Sequence, residues 1–184
     1  MRISTFYIII YLFGLLLLSN ACVSIQQAGG VYAKAHSRND KQQHIEKYAL
    51  KLNAPARQVK KHLDWIYFAE EWQGVPYRYG GANKEGVDCS ALVQQAYRKI
   101  YALKIPRDSR SQFKWCSRIP RRKLKWGDLL FFTIESKEIS HVGIYLYNGW
   151  FLHASTSKGV MMSHLDEKYF MKYYYASGRP PQAR

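Results

Sequence analysis

The chain has 184 residues, which favours one globular domain over two, and 47% of them are hydrophobic, which excludes a composition too polar to form a core. Its formal net charge is +15, from 28 Lys and Arg against 13 Asp and Glu. This charge either favours anionic partners, such as nucleic acid, lipid headgroups or polyanionic cell-wall polymers, or serves solubility alone, because the basic residues are scattered.

The first 21 residues have the pattern of a secretory signal peptide. Arg2 supplies a positive charge, residues 6–18 are almost wholly apolar, and the segment SNA provides a small-residue cleavage site before Cys22. A permanent transmembrane helix needs about 20 apolar residues, more than this run contains. The pattern therefore predicts that residues 1–21 are removed on export.

Cys22 is the first residue after this cleavage site. The segment LLSNAC resembles the lipobox of bacterial lipoproteins, in which the cysteine is lipidated and becomes the new N-terminus. Ser19 stands where the lipobox usually has leucine, and Ser19 with Ala21 would also suit ordinary signal peptidase. We expect lipidation of Cys22, with the protein anchored in the bacterial cell envelope, in the outer membrane and facing the periplasm.

The rest of the chain divides into a tether and a folded domain. Residues 22–43 are rich in Gln, Gly, Ser and Asn and supply little core material, so they predict a tether. Residues 44–184 form the predicted domain. Helical periodicity predicts a short helix over Ile45–Leu52 and a longer one over Ala56–Trp72, which Gly74 ends.

The stretch GVDCSALVQQAY, residues 86–97, joins a polar turn to a helix pattern with a cysteine at the junction. The apolar face of this helix consists of Leu92, Val93, Ala96 and Ile100. The spacing predicts a helix from Cys89 to about Ala102, with Asp88 as its N-cap.

Strand patterns dominate the second half of the chain. The predicted strands are Leu129–Thr133, His141–Tyr147, Trp150–Ala154, Val160–Ser163 and Tyr173–Ser177. Asn148-Gly149 is a strong hairpin signal between the second and third of these strands. Helices followed by antiparallel strands indicate an α+β fold.

Cys89 lies where a helix can activate a thiol. The unpaired backbone N–H groups of a first turn and the helix dipole both favour a thiolate, and the same N–H groups can hold an oxyanion. The charge of Asp88 opposes this effect. Two other interpretations remain: Cys89 packs in the core, or it forms a disulfide with Cys116, which export would permit and the spacing does not decide.

Two histidines are candidates for the base that a cysteine nucleophile needs. His141 begins one predicted strand and His153 lies on the next, across Asn148-Gly149. A simple two-residue turn would pair His153 with Ile144 and place the histidines on opposite faces of the sheet. One extra residue, in a bulge or a longer loop, reverses this parity. If the histidines act together, the loop is therefore not a simple two-residue turn.

Six segments occur in the order typical of one enzyme family between Trp65 and Arg179. They are GVPYRYGG, GVDCSALVQ, IPRDSRSQ, WGDLLFF, SHVGIYLYNGWFLHASTSKGV and DEKYF. Together they resemble the NlpC-type cysteine peptidases, papain-like enzymes that cut peptidoglycan stem peptides. The resemblance implies a papain-like α+β fold, in which N-terminal helices, one of them starting at the nucleophile, pack on a central antiparallel β-sheet.

The resemblance also implies a role for each matching residue. Cys89 in DCS matches the nucleophile, His141 in SHVGIY the general base, and His153 in HAS the polar residue that orients the base. Tyr77 in PYRYGG matches a tyrosine beside the cysteine that helps to bind the oxyanion. Ala91 is a departure, since the family usually has glycine at this place in DCSG.

The implied activity is that of a monomeric peptidoglycan endopeptidase, which hydrolyses stem-peptide or cross-link amide bonds through a cysteine thioester. Cys116 would then be a separate thiol, because a disulfide would remove the nucleophile. We expect no metal or cofactor, since the cysteines and histidines lack paired ligand spacing, and no nucleic-acid partner, since only charge supports one. Alternative hypotheses are a non-catalytic peptidoglycan-binding lipoprotein, or an acyltransferase or amidase on the same scaffold.

Overall fold

The computed structural model describes residues 38–134 and 136–181. The predicted signal peptide, residues 1–21, lies outside this described part. So do Cys22 and residues 22–37 of the predicted tether.

The chain divides into two units, residues 1–46 and 47–184. The helices are α1 (38–51), α2 (Ala56–Lys61), α3 (Leu63–Trp72), α4 (Cys89–Tyr101), α5 (Ser109–Trp115) and α6 (Lys168–Tyr173). Helix α1 begins before Ile45, where the sequence predicted its start. The single helix predicted over residues 56–72 is two helices, because the backbone at His62 is not helical (φ −121°, ψ 30°).

Within the described residues, no helix has both the length and the apolar character needed to cross a bilayer.

One six-stranded antiparallel sheet forms the second half of the domain. The strands are β1 (Ala82–Asn83), β2 (Gly86–Val87), β3 (Ser117–Ile119), β4 (Leu129–Phe132), β5 (His141–Tyr145), β6 (Trp150–Ser155), β7 (Gly159–His164) and β8 (Tyr174–Arg179). Strands β1 and β2 pair with each other, and the large sheet has the order β3-β8-β4-β5-β6-β7. Helix α4 packs against β5 and β6. The predicted α+β architecture, with the helix that begins at Cys89 packed on an antiparallel sheet, is confirmed.

Helix α4 has the start and the buried face that the sequence predicts. Asp88 caps it, accepting a hydrogen bond from the Ala91 backbone N at 2.8 Å. Leu92, Val93 and Ala96 are fully buried, whereas Ile100, the fourth residue of the predicted face, is half-buried. Because this face is fixed against the sheet, the first turn of the helix, with Cys89, is held at one position relative to β5 and β6.

The hairpin between β5 and β6 contains one residue more than a simple two-residue turn. Asn148 and Gly149 both have positive φ, 47° and 85°, as the centre of a type I′ turn requires. The Trp150 N–H donates to the Tyr147 carbonyl at 2.9 Å, but the Trp150 carbonyl accepts from Leu146 N, also at 2.9 Å. Tyr147 is therefore the extra, bulged residue.

This bulge places both histidines on one face of the sheet. In the observed register Ile144 pairs with Leu152 and Tyr145 with Phe151, so that His153 lies opposite residue 143 rather than residue 144. Residues 141 and 143 share a face because side chains alternate along a strand. The prediction that the loop is not a simple two-residue turn is confirmed.

Gly149 has a backbone conformation and a close neighbour that both disfavour a side chain. A Cβ at Gly149 would lie 2.4 Å from His164 Nε2, and that ring nitrogen is 2.7 Å from the Asn148 carbonyl oxygen. We expect Gly149→Ala to lower the free energy of unfolding by roughly 2 kcal/mol, since it combines an unfavourable φ with a steric clash. Urea denaturation measures the loss.

Gly74→Ala is the matched control. Gly74 has φ +79°, but a Cβ there meets no atom within 4 Å, so this substitution carries the conformational cost alone. The loss should be smaller than that of Gly149→Ala. Equal losses at the two positions would show that the His164 ring adds nothing.

Candidate active site

Cys89 is buried at the first position of α4, with 8% of its surface exposed. The backbone N–H groups of Cys89, Ser90 and Val142 act on its sulfur in the direction that stabilises a thiolate. Val142 follows His141 on β5, so the thiol lies against the strand that carries the first histidine. Residues from a helix and from the sheet thus meet at this sulfur.

Burial dominates the protonation of Cys89. It raises the pKa of the thiol to about 11, and the charge of Asp88 adds to this, while the N–H groups of Val142, Ser90 and Cys89 lower the pKa. The amides of the first turn act as the sequence predicts, but they do not outweigh the loss of solvent. The thiol is therefore protonated at neutral pH in the resting protein.

His141 and His153 form a buried hydrogen-bonded pair. The His141 Nε2 and His153 Nδ1 atoms are 3.0 Å apart, and the two rings are nearly perpendicular, at 89°. Burial lowers the pKa of His141 to about 4. Burial, and then the charge of His141, lower the pKa of His153 well below its ordinary value. Both rings are neutral at neutral pH, and because His141 Nε2 is engaged, Nδ1 is the nitrogen left to exchange a proton.

Two neighbouring cavities form an open cleft over these residues. The larger, about 710 Å³, has Cys89 in its wall, and the smaller, about 490 Å³, has His141 and His153. Tyr77 and Ser140 line both cavities and so lie at their junction. Burial raises the pKa of Tyr77, as do the charges of Cys89 and Asp88. The cleft brings together all four predicted site residues of the described domain.

Arg107 holds Asp88 in a bidentate ion pair beside the thiol. Its Nη2 donates to Asp88 Oδ2 at 2.6 Å and its Nη1 to Oδ1 at 3.0 Å, and Nη1 also donates to Ser90 Oγ at 3.0 Å. Burial would raise the pKa of Asp88, but the hydrogen bonds from Arg107, Ala91 and Ser90 lower it below its ordinary value. Asp88 is thus ionised, with its charge balanced by a guanidinium.

Gln112 ties the loop that carries Arg107 to the start of α4. It is fully buried, and its Nε2 donates to the Ser90 carbonyl at 3.0 Å and to the Pro106 carbonyl at 2.9 Å. The sequence assigned no role to Arg107 or Gln112. The segment IPRDSRSQ marked this loop, but no local pattern connects it to a carboxylate 19 positions earlier.

The structure decides two further questions that the sequence left open. Cys89 and Cys116 are both free thiols, so the disulfide interpretation is wrong and the prediction of a separate Cys116 is confirmed. Ala91, the departure from the family motif, is fully buried in α4, and its backbone N–H is the one capped by Asp88. Among residues 38–134 and 136–181, no cluster of three His, Cys, Asp or Glu side chains is arranged to hold a metal ion.

Comparisons with known proteins agree on one family. The model of the NlpC/P60 family matches residues 74–179. The probable endopeptidase NlpC homolog of Haemophilus influenzae is 41% identical over 119 residues, 65% of this chain and 62% of that protein. The murein DD-endopeptidase MepS/murein LD-carboxypeptidase of Escherichia coli K12 is 42% identical over 109 residues, 59% of this chain and 57% of that protein.

The similarity extends to solved structures. The crystal structure of an NlpC/P60 family protein from Bacillus cereus matches with a TM-score of 0.58 at 27% identity, over 63% of this chain and 39% of that one. In all three comparisons, the matched part is less than two thirds of the other protein's length. The likeness therefore concerns the domain that carries the cleft.

The protonation of Cys89 can be tested by ultraviolet absorbance, because thiolates absorb where thiols do not. We expect no thiolate band from Cys89 at neutral pH and a band that grows as the pH approaches the thiol pKa of about 11. Subtracting the spectrum of Cys89→Ala isolates this thiol from Cys116, whose pKa burial raises to about 12. A thiolate band at neutral pH that Cys89→Ala removes would contradict the prediction.

Proposed function

The chain belongs to the NlpC/P60 family, and on that premise we propose that it is a peptidoglycan endopeptidase that hydrolyses amide bonds of stem peptides or of cross-links. The observation that carries the proposal is the arrangement of Cys89, at a helix N-terminus, against the strand of His141, which is hydrogen-bonded to His153. A nucleophile, a base and an orienting group at an open cleft are what nucleophilic amide hydrolysis needs. The names of the relatives, which include endopeptidase and murein DD-endopeptidase, support the same substrate class.

The first half of the reaction forms a thioester. As the Cys89 sulfur bonds to the carbonyl carbon of the scissile amide, its proton passes to His141 Nδ1. The oxyanion forms where the N–H groups of the first turn of α4 and the Tyr77 hydroxyl can donate to it. When the C–N bond breaks, His141 returns the proton to the leaving amine, and His153 stabilises the imidazolium that exists between these two transfers.

The second half releases the acid. A water molecule gives a proton to His141 as its oxygen bonds to the thioester carbon. The carbon–sulfur bond then breaks, and the proton returns to the Cys89 sulfur. The protein ends in the neutral thiol and neutral imidazole that burial favours, so each cycle begins and ends without a charge on Cys89 or His141.

The two cavities fit the two halves of the substrate. The acyl part must lie on the side of the sulfur that attacks it, which is the cavity of about 710 Å³ with Cys89 and Arg107. The leaving amine must reach the proton on His141, which lines the cavity of about 490 Å³ with Lys158 and Glu167. The scissile bond would then lie at the junction formed by Tyr77 and Ser140.

We expect Cys89→Ala to abolish cleavage, lowering the rate by more than about 10³-fold, because no other thiol of residues 38–134 and 136–181 lies at the cleft. Digestion of purified peptidoglycan, with the released muropeptides identified by mass, measures the rate and shows which bond is cut. Cys116→Ala is the matched control, since it removes the other described thiol, which lies outside both cavities. It should leave the rate unchanged.

Other products would identify the alternative functions. Peptidoglycan bound without any product, by wild type and Cys89→Ala alike, would indicate a binding protein. A new acyl ester, or a side-chain amide lost without chain cleavage, would indicate an acyltransferase or an amidase on this scaffold. Two peptide fragments from wild type and none from Cys89→Ala support the endopeptidase.

We further propose that the protein is exported and anchored through a lipidated Cys22 in the outer membrane, facing the periplasm. The segment LLSNAC after an apolar run supports this proposal. We expect wild type to fractionate with membranes and to gain the mass of a lipid at its N-terminus. Cys22→Ser should lose both properties, and wild type that remains soluble and unmodified would exclude the anchor.

A further inference from the structure

Ser163 contacts His153 at Nε2, the ring nitrogen that does not face His141. Its Oγ lies 3.2 Å from His153 Nε2, and only 3% of its surface is exposed. It comes from β7, where Ser163 pairs with Phe151 and Met161 with His153. Ser163 is therefore the diagonal neighbour of His153 on the same face of the sheet. Three side chains from three adjacent strands, His141, His153 and Ser163, form one continuous hydrogen-bonded chain.

The direction in which these hydrogen bonds are donated, from His141 toward Ser163 or the reverse, decides whether His141 can act as a base. A neutral imidazole has one N–H donor and one acceptor nitrogen. To take the thiol proton at Nδ1, His141 must carry its own hydrogen on Nε2 and donate it to His153 Nδ1. His153 then carries its hydrogen on Nε2, where the Ser163 oxygen is the acceptor.

The opposite direction would inactivate the base. If the Ser163 hydroxyl donated to His153 Nε2, the hydrogen of His153 would be on Nδ1 and would point at His141 Nε2. His141 would then carry its hydrogen on Nδ1, where the thiol proton has to be received. The first direction is also the one needed when His141 becomes an imidazolium. Both nitrogens of His141 are then donors, so His153 Nδ1 has to be an acceptor.

The surroundings of His153 make Ser163 important for the choice between its two tautomers. The ring of His153 packs against Phe151 and Phe170, with centroid distances of 5.0 and 5.2 Å. These rings offer no hydrogen-bond acceptor of comparable strength. A buried N–H without an acceptor is unfavourable, so the hydroxyl oxygen favours the tautomer with the hydrogen on Nε2.

We propose that Ser163 is a positioning residue, which accepts the His153 Nε2–H hydrogen bond and thereby holds both histidines in the tautomer that leaves His141 Nδ1 free to take the thiol proton. Its catalytic consequence rests on the proposed peptidase function. Its structural consequence, the tautomer of the two rings, does not.

The test compares Ser163→Ala with Ser163→Thr. Ser163→Ala removes the acceptor and should lower kcat about five- to tenfold, the effect of one lost hydrogen bond, with KM little changed. Ser163→Thr keeps the hydroxyl on a residue that suits a strand, and it should restore most of the rate. Ser177→Ala is the matched control, because Ser177 is a buried serine of β8 in the same sheet whose Oγ bonds to the Tyr174 hydroxyl. It should leave kcat and KM unchanged.

Nitrogen-15 NMR of the histidine side chains measures the tautomer of each ring directly, which a loss of stability alone would not change. In wild type, His141 and His153 should each show a protonated Nε2 and an unprotonated Nδ1 at neutral pH. In Ser163→Ala, His153 should shift toward a mixture of tautomers. Thermal denaturation of each variant confirms that it is folded.

The outcomes separate the two proposals. A protonated Nδ1 on His153 in wild type, or unchanged tautomers and unchanged kcat in Ser163→Ala, would overturn the role of Ser163. A wild type with the expected tautomers but no peptidoglycan cleavage would instead overturn the peptidase function and leave the role of Ser163 in fixing the tautomers intact.

Discussion

The site depends on one hydrogen bond, between His141 Nε2 and His153 Nδ1. The two residues belong to adjacent strands, so their contact depends on the register of the hairpin that joins β5 and β6. Side chains alternate along a strand, and a register shifted by one residue would place one histidine on each face of the sheet. The bulge at Tyr147 prevents this, so a backbone feature at the tip of a hairpin decides whether His141 and His153 can form their hydrogen bond.

Burial determines the protonation states of the thiol and the two imidazoles in this site. An ion without a partner is costly in a dry interior, so the buried thiol and the two buried imidazoles are neutral at rest. A catalytic cycle in such a site must create its imidazolium only when a substrate oxyanion, or a leaving group, balances it. The geometry suits this requirement, since His141 has a hydrogen-bond partner in His153 and the thiol has amide donors beside it.

The sequence predicted the parts of this site that depend on local patterns. Asp88, the apolar face of α4 and the strands that carry the histidines follow from periodicity and capping, and the structure has them. The break at His62 was missed, because helical periodicity continues through it and only the backbone conformation reveals it. The roles of Arg107 and Ser163 were missed because each contacts a partner 19 or 10 positions away in the chain, and the sequence around each side chain does not identify that partner.

Asp88 shows how the fold reconciles two needs that conflict. A carboxylate is one of the favoured N-caps for the helix that begins at Cys89, but an unbalanced negative charge beside the thiol raises its pKa and would oppose attack. Arg107 places a balancing positive charge against Asp88, because its planar guanidinium binds both carboxylate oxygens, while Oδ1 still accepts from the Ala91 backbone N. A lysine would supply the charge without the second hydrogen bond. The residue type at position 107 thus suits the cap at position 88, and this cap begins the helix that carries Cys89, the proposed nucleophile.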